Sequence, residues 1–267
     1  MLDLSVLDLW HFIIGGGFVV GFLVGMTGVG AGSLMTPFLI TQIGVSPPLA
    51  VGTDLLFASL TKASAALPHH NFGNVNWRIV KCLAAGSIPG SIATLVALSY
   101  FEPDTAFLAR LIKQALVIAL VLSSTAIVFY PFITRNGAVA KSEVDNAPIR
   151  PVWTLLLGVV LGSLVTLTSV GAGAIGVVVL TLLYPTLMTR RLIGTDIVHA
   201  VPLTLVSGLG HLSVGNVNFV LLGLLLAGSL PGIALGSRVT GRLPDHVLRI
   251  ALAAILIFAA YQLFKKI

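Results

Sequence analysis

A pattern of polar residues and glycines occurs twice in this chain of 267 residues, and the second copy follows the first at a constant distance. Most of the repeated positions lie 142 residues apart, and one glycine motif repeats at 141. Chance does not preserve one spacing over so many polar positions inside apolar sequence, so the chain is predicted to contain two copies of one folding unit. The repeated motifs are Val-Gly-Ala-Gly (29–32, 170–173), Gly-Thr-Asp (52–54, 194–196), Gly-Asn-Val-Asn (73–76, 215–218) and Ala-Gly-Ser-x-Pro-Gly (85–90, 227–232).

The composition places this unit in a membrane. Mean hydropathy is +1.05 and only 9% of the residues are charged, whereas soluble domains carry about 25%. The sequence lacks the alternating pattern of barrel strands, so helices are predicted to satisfy the backbone groups in lipid. The net charge of +6 is typical of basic membrane loops and does not indicate nucleic acid. The single cysteine, Cys82, excludes an intrachain disulfide and a cysteine metal cluster.

Ten apolar segments divide evenly between the two copies. The second segment of each set is short and follows a glycine run, which predicts a half-helix or a tilted span. Five segments per copy is an odd number, so the second copy is predicted to enter the membrane from the opposite side, as an inverted repeat. The segments are 9–27, 30–44, 47–68, 76–100 and 106–131, then 152–168, 171–187, 192–210, 217–241 and 246–264.

The charged loops predict the domain boundaries and the orientation. We expect an N-terminal repeat at 1–131, a cytoplasmic linker at 132–151 and a C-terminal repeat at 152–267. With both termini outside, most of the arginines, among them Arg78 and Arg190, lie on the cytoplasmic side, as the positive-inside rule requires. A multi-pass protein of the bacterial inner membrane is therefore predicted; lipid surrounds it, and a homo-oligomer is left open.

The glycine runs that precede the short segments are predicted to interrupt helices, because each glycine costs about 1 kcal/mol in a helix relative to alanine. A helix that restarts after such a break presents unpaired N–H groups and the positive end of its dipole, which favours an anion. Close helix packing is the alternative for these glycines, and it is the preferred interpretation for Gly17, Gly21 and Gly25. Repetition of the break in both copies favours a substrate site.

Five of the ionisable residues within or at the ends of the apolar segments are candidates for a functional role. Asp54 and Asp196 belong to the repeated Gly-Thr-Asp motif, which predicts either a helix cap or a proton carrier. His69 and His211 are repeated near helix ends and are candidates for gating or proton transfer. Lys62 has no counterpart, since Thr204 occupies the matching position; it either snorkels to the membrane edge or supplies positive charge to an anion.

The Gly-Asn-Val-Asn segments are interpreted as turns. Glycine and asparagine tolerate turn conformations, and the side chain of Asn76 or Asn218 is predicted to cap the helix that follows.

These motifs resemble the TauE/SafE sulfite exporter family over nearly the whole chain. The resemblance is carried by the glycines from Gly21 to Gly32, by Pro-Leu-Ala-Val-Gly-Thr-Asp-Leu at 48–55 and by Gly-Asn-Val-Asn-Trp at 73–77. It implies an all-helical transporter with inverted repeats that moves sulfur-containing anions such as sulfite, sulfoacetate or related sulfonates. Some relatives that handle thiosulfate use several cysteines; this chain has only Cys82 and departs from that pattern.

The sequence thus predicts an all-α integral membrane protein that exports a small sulfur-containing anion by alternating access, with no enzymatic activity, cofactor or resident metal. Protons are one candidate coupling ion, although the inside-negative potential already favours outward movement of an anion. A channel or divalent-metal transporter is the alternative, and an intramembrane enzyme is a further one. The metal alternative would use His69, His70, His199, His211, Asp54 and Asp196. The predicted substrate-binding residues are Thr27, Gly30, Gly32, Ser33, Lys62, Thr168, Ser169, Gly171 and Gly173, and the candidates for proton coupling or gating are Asp54, Asp196, His69 and His211.

Overall fold

The computed structural model is all-helical, which confirms the predicted fold class. Each of the ten predicted segments contains one helix, and the second segment of each copy is the shortest, with 7 and 10 α-helical residues. The structure describes residues 9–27, 32–100, 105–135, 148–239 and 244–267. The helices are α1 (Trp10–Thr27), α2 (Gly32–Phe38, continued by a π-helical turn at Leu39–Ile43), α3 (Pro47–Asn71), α4 (Trp77–Tyr100), α5 (Thr105–Arg135), α6 (Pro151–Thr168), α7 (Ala174–Leu183), α8 (Thr189–Ser213), α9 (Phe219–Val239) and α10 (Asp245–Phe264).

The length and hydropathy of these helices fit a membrane protein. Six helices in the described ranges, α4, α5, α6, α8, α9 and α10, are long and apolar enough to cross a bilayer. Helix α3 has 25 residues, sufficient length for a span, but it carries Asp54 and Lys62. Large apolar side chains such as Val160, Ile250 and Phe258 are about 60% exposed on the outside of the bundle, where lipid replaces water as the solvent.

Equivalent helices of the two copies pack against each other at the centre. In α3 and α8, Gly52 lies against His211 and Gly194 lies against His69, so the two helices run antiparallel. Ser59 Oγ donates to the carbonyl oxygen of Val201 at 3.5 Å, and these two residues are 142 positions apart. The helices therefore cross at matching points. An inverted repeat requires such an antiparallel crossing of equivalent helices. That the two complete halves are inverted relative to each other stays a prediction.

The first and fourth helices of each copy exchange partners between the copies: α1 packs against α9, and α6 packs against α4. Glycines allow their backbones to touch. A methyl group at Gly21 would collide with the backbone of Ser229, and one at Gly162, the equivalent position in α6, would collide with the backbone of Ser87. Gly17 and Gly25 also face the backbone of α9. The packing interpretation of the α1 glycines is confirmed.

Candidate functional site

The second glycine run interrupts the helical conformation between α6 and α7, and residues 169–173 are called the second break. Ser169 adopts the left-handed conformation, with φ of 59°, and Gly171 and Gly173 follow with φ of 126° and 118°. A side chain with a Cβ is strained at such angles, so glycine is the residue that permits this path. Helix α7 restarts at Ala174, and the amide of its N-cap residue, Gly173, lies near Asp196 of α8.

Asp196 in α8 lies directly against this break. Its carboxyl group is 1% exposed, and a side chain at Gly176 in α7 would collide with its Oδ1 atom. The amide of Gly173 approaches the carboxylate. Neither carboxylate oxygen, however, has a hydrogen bond of good geometry to any described residue. A buried carboxylate without donors is costly to keep charged, and the cation within electrostatic range of Asp196 is the ammonium group of Lys62.

Asp54 occupies the equivalent position in α3 but has a different environment. Thr36 Oγ1 donates to its Oδ2 atom at 2.5 Å. Ser169 lies close to the same carboxylate, although Ser169 Oγ and Asp54 Oδ1 both lack a hydrogen bond of good geometry to the described residues. The position that matches Thr36 in the second copy is Val177, which offers no hydroxyl group. Only Asp54 therefore receives a hydroxyl donor from its short helix.

Lys62 reaches the same region from α3. Its side chain is 8% exposed, and Nζ donates to the carbonyl oxygen of Ala172 at 3.2 Å. The ammonium group is within electrostatic range of Asp196 and Asp54. The snorkelling alternative is wrong, because the charged end lies between the helices and binds the interrupted backbone. A buried lysine is retained where it faces partner charges or a ligand.

His199, one turn after Asp196, completes the region; the sequence analysis named it only in the metal alternative and not among the residues of the anion site. Its ring is fully buried, and Nε2 shares a hydrogen bond of 2.8 Å with Ser87 Oγ. It lies within electrostatic range of Lys62. Because Phe57 stands at the matching position of the first copy, His199 could not be recognised from the repeat. Its three-residue spacing from Asp196, which places both on one helix face, was the available signal.

A second group of buried polar side chains follows the same face of α8. Ser91 and Ser207 share a hydrogen bond of 2.8 Å, and the Thr166 hydroxyl lies 2.8 Å from Ser91 Oγ and 2.9 Å from Ser207 Oγ. His211 Nε2 then donates to the carbonyl oxygen of Thr166 at 2.9 Å. These contacts join α4, α6 and α8, and they place His211 several turns away from Asp196 rather than beside the break.

The repeated Gly-Thr-Asp motif holds the turn of the opposite copy. Thr53 Oγ1 accepts a hydrogen bond from the Asn218 amide at 3.1 Å, and Thr195 Oγ1 accepts one from the Asn76 amide at 2.9 Å. The predicted helix caps at Asn76 and Asn218 are confirmed, since both side chains accept hydrogen bonds from the first turn of the next helix. Capping by the Gly-Thr-Asp motif is wrong: α3 begins at Pro47, well before Asp54.

We expect the loss of these crossed hydrogen bonds to destabilise the protein. Thr195→Val keeps the side-chain volume and leaves the buried Asn76 amide without its acceptor, which costs about 1–2 kcal/mol. Thr53→Val has a similar cost, and the two effects add because the sites are distant. Thermal unfolding in detergent measures both. Thr125→Val is the control, because its hydroxyl group bonds only within its own exposed helix; an equal loss in that variant would contradict the role of the crossed contacts.

The structure brings some of the predicted residues together and separates others. Lys62, Ser169, Gly173, Asp54 and Asp196 gather around the second break. The hydroxyl group of Thr168 turns back to Leu164 and Val170 of its own segment. Gly30 lies outside the described residues; Thr27 ends α1 and Gly32 begins α2. Ser33 is buried. His69, in the last turn of α3, lies against Gly194 and away from the break.

Within the described parts of the chain, no three side chains of histidine, cysteine, aspartate or glutamate gather in a way that could hold a metal ion. The divalent-metal alternative stays a prediction without a defined set of ligands.

A helix break that lies beside buried charges in an all-helical membrane bundle is typical of membrane transporters. The comparisons with known proteins agree. The profile described as sulfite exporter TauE/SafE matches residues 13–263, and the chain belongs to this family.

Relatives of this chain carry names of the same class. It is 35% identical over 247 residues to the probable membrane transporter protein YjnA of Bacillus subtilis, covering 92% of this chain and 96% of the relative. It is 26% identical to the probable membrane transporter protein YdhB of the same organism, with coverage of 88% and 92%. A probable membrane transporter protein of Haemophilus influenzae is 25% identical, with coverage of 94% and 96%. No solved structure gives a significant match.

Proposed function

We propose that the protein is a secondary transporter that exports a small sulfur-containing anion, sulfite or an organosulfonate such as sulfoacetate. The observation that carries this proposal is the buried ammonium group of Lys62 at the second helix break, 3.2 Å from the carbonyl oxygen of Ala172. A sulfur oxyanion accepts several hydrogen bonds and carries full negative charge, so it needs a cation and converging donors. Membership of the TauE/SafE family supports this class of substrate.

The break supplies the other donors for such an anion. Ser169 offers a buried hydroxyl group near the Asp54 carboxylate that has no hydrogen bond of good geometry to a described residue. The amides around Gly171 and Gly173 lie at the start of α7, where its dipole favours an anion. We assign the predicted residues Thr27, Gly30, Gly32 and Ser33 to the corresponding part of the first copy. Thr168 contributes by shaping the end of α6, because its hydroxyl group is used by the backbone.

Alternating access then requires the two copies to move relative to each other around this site. His69 and His211 lie at the ends of α3 and α8, where these helices meet the turns of the opposite copy. We assign them to gating, because a change of charge at a helix end alters its contact with the neighbouring turn. Asp54 and Asp196 face the site itself and are assigned to coupling.

Transport in reconstituted vesicles tests this function. Purified protein in liposomes loaded with sulfite or sulfoacetate is expected to release the anion at a rate well above that of protein-free liposomes, and external unlabelled anion is expected to exchange with labelled anion inside. Chloride and acetate serve as matched anions without sulfur. The proposal fails if no sulfur anion crosses faster than in the protein-free control, or if acetate crosses equally fast.

A further inference from the structure

The carbonyl oxygen of Ala172 in the second break is left out of the backbone hydrogen bonds that start α7. Two amides in the first turn of α7 donate to the carbonyl oxygens on either side of it, those of Gly171 and Gly173, at 3.1 and 3.3 Å. The described partner of the Ala172 carbonyl is instead the ammonium group of Lys62, at 3.2 Å. Carbonyl groups freed at an interrupted helix are typical ligands of the coupling cation in secondary transporters. Lys62 therefore places an ammonium group on an oxygen atom that suits a metal cation.

Further oxygen atoms that suit a cation lie around this ammonium group. Asp196 and Asp54 are within electrostatic range of Lys62, whose charge acts more strongly on Asp196. Both oxygens of Asp196, Oδ1 of Asp54 and the hydroxyl oxygen of Ser169 have no hydrogen bond of good geometry to the residues that the structure describes. Carbonyl, carboxylate and hydroxyl oxygens are the ligands of hard metal cations. The surroundings thus suit a cation, and the ammonium group of Lys62 is the cation that the chain itself supplies.

Lys62 also balances the buried charge of this region. Asp54, Asp196 and Lys62 are between 0% and 8% exposed, so water screens their charges poorly. Removal of the ammonium group would leave two buried acids without a counter-charge, which is costly unless another cation takes its place. An ammonium group has three N–H donors. One of them reaches Ala172, so the others remain for the anion assigned to this site.

We infer that the ammonium group of Lys62 occupies the place of a coupling metal cation, so that the anion is carried without Na⁺ or K⁺. This inference rests on the proposed function and deepens it, because it removes metal cations from the candidates for the coupling ion. A covalently attached cation cannot leave with the anion, so no metal-ion gradient contributes energy to transport. The position that matches Lys62 in the second copy is Thr204, so only one of the two matching positions carries such a cation.

Two substitutions of Lys62 separate the charge from the space that the side chain fills. Lys62→Ala removes the ammonium group and most of the side-chain volume, which leaves room for a free cation beside the Ala172 carbonyl. Lys62→Met removes the charge but fills most of the same space, and it is the matched control. A cation from solution is therefore expected to bind to the alanine variant and not to the methionine variant or to the unchanged protein.

Thermal unfolding in detergent measures this binding in NaCl and in KCl. N-methylglucamine chloride at the same ionic strength is the reference, because its cation is too large for the place of an ammonium group. The Tm of Lys62→Ala is expected to rise by about 5 °C in at least one of the two salts at concentrations far above Kd. The Tm of Lys62→Met and that of the unchanged protein are expected to be the same in all three salts.

Transport and anion binding give the functional test. Sulfite efflux by the unchanged protein is expected to have the same rate in all three salts, with the same salt on both sides of the liposome membrane. This test needs no variant, so it decides even if a substitution impairs folding. Calorimetry measures anion binding with ethanesulfonate, a small organosulfonate that stays a monoanion. The cation that stabilises Lys62→Ala is expected to restore part of its ethanesulfonate binding, and neither cation is expected to do so in Lys62→Met.

The outcomes distinguish failure of this inference from failure of the proposed function. Loss of efflux by the unchanged protein when N-methylglucamine replaces Na⁺ and K⁺ overturns the inference and leaves the proposed function intact. An equal Tm of Lys62→Ala in all three salts, or an equal rise of Tm in Lys62→Met, also overturns the inference. Absence of sulfite and sulfoacetate efflux in every salt overturns the proposed function and the inference with it.

Discussion

Replacement of Lys62 by methionine is expected to abolish transport and to weaken anion binding by at least about 30-fold. The estimate corresponds to the loss of one charge-assisted hydrogen bond, about 2 kcal/mol. The methionine side chain retains most of the volume, so the loss reflects the charge rather than a cavity. Calorimetry with ethanesulfonate gives the change in Kd, and vesicle efflux gives the change in rate.

Two further variants separate anion binding from structural charge balance. Thr204→Val alters the matching position of the second copy, where the hydroxyl group bonds only to its own helix, and it is expected to change Kd by less than about 3-fold. Lys62→Met combined with Asp54→Asn keeps the net site charge of the unchanged protein and avoids the second uncompensated acid that Lys62→Met alone would leave. Tight anion binding by this double variant would show that Lys62 serves only as a counter-ion.

The largest loss of stability is expected from substitution of the glycines at the contacts between α1 and α9 and between α4 and α6. Gly21→Ala places a methyl group against the backbone of Ser229, and Gly162→Ala places one against the backbone of Ser87. Backbone atoms cannot rotate away as side chains do, so the helices must separate. We expect each variant to lose about 1–3 kcal/mol, which lowers Tm in detergent by about 2–4 °C per kcal/mol.

Gly15→Ala is the matched control for this prediction. It lies in α1 as Gly21 does, but nothing is within 4 Å of an added Cβ. Alanine favours the helix over glycine by up to about 1 kcal/mol, so Tm is expected to stay unchanged or to rise. A similar loss of Tm in Gly15→Ala and Gly21→Ala would contradict the close backbone packing of α1 and α9.

The sequence predicted only part of the site, because the repeat identifies residues that occur at matching positions of both copies and gives no information on the others. Asp54, Asp196 and the glycine break were visible as repeated motifs. The partners that distinguish the two acids were not, because Thr36 and Val177 lie at matching positions and differ only in their side chains. His199 was left out of the anion site for a related reason: its counterpart is Phe57, and a residue present in one copy leaves no mark in a comparison of the two.

The sequence by itself determined the membrane environment, the helical class, the ten segments and the family, because hydropathy and repeat spacing are local properties of the chain. Only the tertiary structure decided that Lys62 reaches the second break instead of the membrane edge. It also decided that Thr53 and Thr195 hold the turns of the opposite copies instead of capping their own helices. Both outcomes depend on which helices become neighbours. That choice is made by close packing between residues far apart in the chain, such as Gly21 and Ser229, where glycines allow the backbone of a neighbouring helix to approach.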